Sequence, residues 1–178
     1  QDIPADPSGR ASIVFAAPFP GEGFIKIREE NGPPLFADDF ESGAGEWEAV
    51  VNDEEGNSQW ELGTPVGTNG PDGGSGESAS AWSTNLGNYG PNSDISLFSP
   101  AIDMTNLPGA QLTFQAWRDT DLFGESASVR FRKVDDNTLL GAEEAIDMSS
   151  FDQAYQEISI PFPVEAAGEI LRIEFNFA

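Results

Sequence analysis

From Leu35 onward the chain is cut into short period-two or aromatic-rich segments by clusters of Gly, Asn, Asp, Ser and Pro. A period of two sends successive side chains to opposite faces of a strand, and runs this short between turn-formers leave little room for helices. Strands are expected near 35–40, 46–51, 59–62, 79–84, 95–99, 110–117, 127–134, 154–160 and 169–177. Leu112, Phe114 and Ala116, then Val129 and Phe131, then Ile158, Ile160 and Phe162 alternate clearly and are expected to share one buried face. Only Gly141 to Ser150 reads as a helical turn. The pattern is that of an all-β chain, a two-sheet antiparallel β-sandwich of the jelly-roll kind.

The first ten residues hold Pro4, Pro7 and Gly9 and read as an extended linker. The apolar runs Ser12–Phe15 and Phe24–Arg28, separated by Pro18, Pro20, Gly21 and Gly23, read as a β-hairpin from an upstream unit. Asn31-Gly32-Pro33-Pro34 removes two consecutive N–H donors, which places a domain boundary there. The expected organisation is linker and hairpin over 1–34 and sandwich over 35–178. A start at Gln1 without methionine or signal peptide reads as a mature or trimmed segment. At the other end Leu171, Ile173, Phe175 and Phe177 alternate with Arg172, Glu174 and Asn176, and the chain stops without a turn. That ending reads as a domain that continues past Ala178. The glycine-rich stretch 63–78 is long for a plain connector and reads as a functional or disordered loop.

Composition narrows the chemistry. Eight Lys and Arg stand against 31 Asp and Glu, a formal charge of -23, which repels phosphate backbones and anionic membrane surfaces. Nucleic acid is excluded as a partner, and no apolar run is long enough for a spanning helix, so no membrane insertion is expected. The acidity has three readings: solubility in a saline medium, cation binding, or a basic partner. Cysteine and histidine are absent from all 178 residues, which removes disulfides, thiolate nucleophiles, imidazole bases and the usual zinc, copper and haem ligands. Serine nucleophiles have no visible base, and carboxylate pairs at glycosidase spacing arise by chance in so acidic a chain, so the module is read as no enzyme. The 63–78 loop lacks the Gly-Lys-Ser/Thr ending and following helix of a phosphate cradle. The cluster 52–57 lacks the ligand alternation of an EF-hand and reads as a solvated turn.

The tryptophans Trp47, Trp60, Trp82 and Trp117, with Tyr89, have two readings. Aromatic faces pack on pyranose C–H groups, which would make a sugar platform; the same rings also fill the space between two sheets. Trp47, Trp60 and Trp82 are assigned to the core. Trp117 and Tyr89 are left open between core and ligand contact.

Several segments in order, Asp38-Asp39-Phe40-Glu41-Ser42-Gly43 with Trp47, Trp60-Glu61-Leu62-Gly63-Thr64-Pro65, Ala81-Trp82-Ser83-Thr84-Asn85-Leu86 with Tyr89, Leu97 to Met104, and Leu112 to Trp117, carry a family resemblance. Together they resemble the bacterial MAM-like jelly-roll modules, which include accessory domains of immune-inhibitor-A-like metallopeptidases and the choice-of-anchor J domains. The resemblance covers roughly residues 35–178; the Trp-Tyr-Ile-Asp-Asp-like closing strand of those modules has no counterpart here. It implies a jelly roll in a secreted or cell-surface multidomain protein, no activity of the module itself, and often a structural calcium ion. Calcium takes six to eight oxygen ligands, which a chain rich in Asp, Glu and Asn can supply. The resemblance puts Asp39 and Glu41 first as ligands, with Asp38 beside them and Asp119 or Asp121 from another loop. The functional expectation is an adhesion or interaction module that meets protein or polysaccharide at the cell surface, or neighbouring domains of its own polypeptide. A carbohydrate-binding module of a secreted hydrolase is the first alternative. The second is self-assembly into an extracellular filament, since a sandwich short of one strand exposes unpaired N–H and C=O groups.

Overall fold

The computed structural model describes residues 12–13, 27–28, 34–119, 124–149 and 151–178. Among them the strands are, in chain order, β1 (Ser12–Ile13), β2 (Ile27–Arg28), β3 (Pro34–Phe36), β4 (Glu48–Val51), β5 (Trp60–Gly63), β6 (Ala81–Thr84), β7 (Ile95–Phe98), β8 (Ile102–Asp103), β9 (Gln111–Ala116), β10 (Ala127–Lys133), β11 (Leu139–Ile146), β12 (Gln156–Pro161) and β13 (Ile170–Phe177). The only helical element among these residues is a single 3₁₀ turn, Val164–Ala166. No helix among them is long and apolar enough to cross a membrane.

The larger layer runs β11-β10-β13-β7-β4, with β8 also on β13, and every pairing in it is antiparallel. The second layer is made of two antiparallel ribbons, β12-β9 and β5-β6. Between β8 and β13 the chain passes from one layer to the other and back twice, as jelly-roll connections do. The all-β sandwich expected from the period-two pattern is therefore the fold. β1 pairs with β2 antiparallel, and both lie beside β9; the rest of the stretch expected as linker and hairpin lies outside the described residues. β2 also pairs with β3, whose first residue is Pro34; a strand start tolerates the missing N–H.

Alternation decides what lies between the layers. Val129 and Phe131 from β10, and Leu171 and Ile173 from β13, meet Leu112 and Phe114 from β9 and Ile160 from β12. Phe131 contacts Phe162 with ring centroids 4.5 Å apart, and Phe114 meets Phe175 edge-on at 5.3 Å. Ala116 and Ile158, at the margin of the same face, pack against this cluster while only half-buried.

The helical turn expected over 141–150 is not formed: residues 139–146 are strand β11, paired along β10. Ala-Glu-Glu-Ala is a helix-forming composition, but pairing with a long neighbouring strand overrides that weak preference. The sequence signal is faint because β11 is an edge strand with most side chains exposed. Its register shifts between Leu140 and Glu144, a span that holds Gly141, where φ is +69° and an added Cβ would sit 2.4 Å from Pro163 Cβ. Only glycine meets both demands.

The outward face of the larger layer is polar yet closed. Glu174 accepts from Ser96 Oγ at 2.7 Å, Arg130 Nη1 at 3.1 Å and Arg132 Nε at 2.5 Å. Arg130 also pairs with Glu143. Asn176 Nδ2 donates to Asp94 Oδ1 at 2.9 Å, and Arg172 lies 4.1 Å over the Phe98 ring while pairing with Glu48. Burial pushes the Glu174 carboxyl up, but the hydrogen bonds from Arg132 and Ser96 and the charges of both arginines outweigh it and hold the group below its ordinary value.

Candidate binding cleft

The turn after β3 is built by its own acidic residues. Asp38 Oδ1 accepts from the Phe40 N–H at 2.8 Å, and Asp38 Oδ2 accepts from the buried indole of Trp47 at 2.8 Å. Trp47 is thereby fixed between Phe40 and Phe175, with centroids at 5.4 and 6.3 Å, in the core position expected for it. Asp39 Oδ1 accepts from the Glu41 N–H at 3.1 Å.

Glu41 reaches further. Its Oε1 accepts from the Ser78 hydroxyl, the Ala79 N–H at 3.1 Å and the Ser80 N–H at 2.9 Å. The Ser78 hydroxyl and then the Ser80 N–H hold the Glu41 carboxyl below the usual carboxylate range. Ser78 Oγ in turn lies 3.3 Å from the Asp39 carbonyl and 3.1 Å from the Ser80 carbonyl, so a carboxylate, a hydroxyl and two carbonyls gather at this joint. The glycine-rich stretch 63–78 is folded onto the joint. Tyr155 Oη donates to the Gly73 carbonyl at 2.8 Å, and a Cβ on Gly74 would sit 2.2 Å from the Ser80 carbonyl. Burial raises the Tyr155 hydroxyl to about 12, so it remains a donor over the whole range in which the fold is of interest.

Asp119 lies apart from the turn in sequence, in the wall that follows β9, and Asp121 lies outside the described residues. Among the described residues no three acidic side chains converge as a metal cluster does. The cluster 52–57 is a turn organised by Asp53, whose carboxylate accepts from the N–H groups of Glu55, Gly56 and Asp94 at 2.9, 2.7 and 2.9 Å. The Asp94 and Gly56 bonds lower the Asp53 carboxyl.

Between β6 and the end of β9 opens a cleft of about 1090 Å³. Its lining includes the buried Leu97, Phe114 and Phe177, the half-buried Phe175, and Trp60, Trp82 and Trp117. Trp117 stacks edge-on against Tyr155 at 5.6 Å, and Tyr89 edge-on against Phe177 at 5.1 Å with its hydroxyl on Glu125 at 3.0 Å. Both residues left open between core and ligand contact therefore line this space. Trp60 and Trp82, assigned to the core from sequence, do pack against it but also line the cleft. The indole N–H groups of Trp60, Trp82 and Trp117 are buried and have no hydrogen-bond partner among the described residues. Such a donor costs about 1–3 kcal/mol to leave unmet, and all three belong to residues that also line the cleft. Periodicity could not have marked Trp60 and Trp82 out, because it assigns a face and not the gap between two ribbons.

The wall beyond β9 is held by Arg118 and Asp152. The Arg118 N–H and Nε donate to Asp152 Oδ2 at 2.8 and 2.9 Å, Nη2 donates to Oδ1 at 3.0 Å, and Nη1 donates to the Asp147 carbonyl at 2.8 Å. The hydrogen bond to Asp152 outweighs burial and raises the guanidinium further.

No protein-family model matches this chain, and no curated protein matches it. Among solved structures it is similar to a cleaved adhesin domain of Lys-gingipain from Porphyromonas gingivalis. The two are 21% identical, with 75% of this chain and 86% of that chain covered and a TM-score of 0.47.

Proposed function

We propose that the chain is a non-catalytic interaction module of a secreted or cell-surface bacterial protein, related to the MAM-like jelly rolls, and that the cleft between β6 and β9 is its ligand surface. The observation that carries this reading is the cleft itself, which is lined by Phe114, Phe175 and Phe177 together with the rings of Trp60, Trp82 and Trp117. The absence of histidine and cysteine from the chain supports a binding role over chemistry. Its ligand is a protein or polysaccharide segment at the cell surface, held by apolar contact with the aromatic lining. A structural calcium ion belongs to the same reading. The Glu41 carboxylate, the Asp39 and Ser80 carbonyls and the Ser78 hydroxyl bring four oxygen-bearing groups to the joint beside the cleft, where the Ala79 and Ser80 N–H groups occupy Glu41 Oε1 and leave Oε2 as the carboxylate oxygen for an ion.

The test compares retention on immobilised extracellular polysaccharides and surface proteins. Trp82→Ala and Trp117→Ala are expected to lose at least about tenfold in affinity, since truncating a buried aromatic anchor typically costs 2 kcal/mol or more. Arg172→Gln, on the outward face of the other layer, is expected to bind as the native protein does. Equal retention by all three would remove the cleft from the account of binding.

A further inference from the structure

β6 is a strand with one side in use. Asn85 donates its N–H to the Gln59 carbonyl at 2.8 Å, which fixes the alternation along the β5-β6 ribbon. With Cα partners Glu61 and Ser83, and Gly63 and Ala81, as the hydrogen-bonded pairs, the pairs Trp60 with Thr84 and Leu62 with Trp82 are the non-bonded ones. The N–H and C=O groups of Trp82 and Thr84 therefore point away from β5, and none of them has a hydrogen-bond partner among the described residues. All four residues of β6 line the cleft, whose other lining residues include Phe114, Phe175 and Phe177. A slot bounded by a free strand edge and floored by apolar side chains has the shape of an absent strand, and side chains alternating with period two fit it.

Charge selects among strands. The chain carries -23, and each basic side chain described, Arg118, Arg130, Arg132, Lys133 and Arg172, is already in an ion pair. The charged residues of the cleft lining are Arg118, Asp119 and Glu125, and the field around the molecule as a whole is that of an uncompensated polyanion, which repels a second copy of this chain and attracts a cationic segment.

We propose that the ligand of the cleft is an extended basic segment of a partner protein, in which apolar residues alternate with Lys or Arg, and that it binds as an added strand on the outer edge of β6. This rests on the reading of the cleft as the ligand surface. The apolar residues face the phenylalanine floor, the basic residues face solvent, and the backbone pairs with Trp82 and Thr84.

The test uses the whole chain and a short synthetic peptide of alternating Val and Lys, with two controls: the same peptide N-methylated on the residues that face β6, and a Val-Glu analogue. Amide hydrogen exchange is read with and without peptide. The Val-Lys peptide is expected to bind, to bind more weakly as salt rises, and to slow exchange at Trp82 and Thr84 while Ser83 changes little. N-methylation is expected to weaken binding by about tenfold or more, because it removes backbone donors, and the Val-Glu analogue is expected not to bind. Binding without protection of Trp82 and Thr84 overturns strand addition and leaves the cleft reading standing. So does a polysaccharide whose retention depends on Trp82 when no peptide binds. Loss of every cleft dependence, for peptides and polysaccharides alike, overturns both. Peptide-free dimerisation through β6 would show that a second copy is the occupant, and would overturn the basic partner.

Discussion

Asp152 accepts three hydrogen bonds from Arg118 and is buried where it does so, at the point where the chain leaves β9 to form the cleft wall. A buried pair contributes little net stability while both partners are present, but removing one leaves a charge with no water and no partner. Asp152→Ala is accordingly expected to lower unfolding free energy by about 3 kcal/mol, measured by urea denaturation. A loss below about 1 kcal/mol would mean that the Arg118 guanidinium finds water. This pair was not legible in the sequence, since 34 residues separate two ordinary charged side chains. Asp38 and Asp39 were visible as an acidic segment, but their work as turn acceptors depends on the Trp47 indole and the Glu41 N–H lying within reach, which only folding arranges. Trp82 was legible as an aromatic; that its backbone would be left unpaired was not, because pairing is a property of neighbours.

Strands were the most readable level. The expected spans near 95–99, 110–117, 127–134 and 169–177 correspond to β7, β9, β10 and β13, whose alternation is imposed by a core on one face. β8, two residues long, is too short to show a period, and β11 is an edge strand whose exposed Ala and Glu carry a helical signature. β13 misled in a different way. Arg172, Glu174 and Asn176 alternate with apolar residues as a solvent face should, yet Glu174 and Asn176 are buried beneath neighbouring arginines and serines. That burial has a pH consequence. The Glu174 carboxyl titrates below 4.5 in the folded protein, so its contribution is complete above 4.5 and is lost as pH falls through the lower folded value. Glu174→Gln is expected to be less stable than native protein at neutral pH, and the gap is expected to shrink as pH drops below 4.5, followed by thermal melting across that range. A gap that stays constant from neutral pH to strong acid would sink this assignment.

At the scale of the molecule, the joint of Asp39, Glu41, Ser78 and Ser80 ties the turn after β3 to the loop leading into β6, two segments far apart in the chain. An ion bound there in the folded state alone stabilises the whole fold by linkage. Calcium at a hundredfold over its dissociation constant adds about 2.7 kcal/mol, a rise in melting temperature of roughly 5–10 °C for a chain of this size. That rise is expected to saturate and to vanish in Glu41→Gln; no rise, or an equal rise in the variant, removes calcium from the joint. Sandwich architecture and acidity were legible from composition and period. The cleft was not, because a gap between two ribbons leaves no mark on either.

The placement of the cations has a further consequence. Arg130, Arg132 and Lys133 lie within β10 and Arg172 within β13, while the Arg118 N–H and C=O are both bonded to Asp152. A trypsin-like protease must draw the peptide after Lys or Arg into an extended, unpaired form before it can cut. From Pro34 to Ala178 the native fold offers it no such bond among the described residues. The chain thus keeps each of these cleavage points for that class of protease inside its hydrogen-bonded framework, and leaves its described loops to be written largely in Gly, Asn, Asp and Ser.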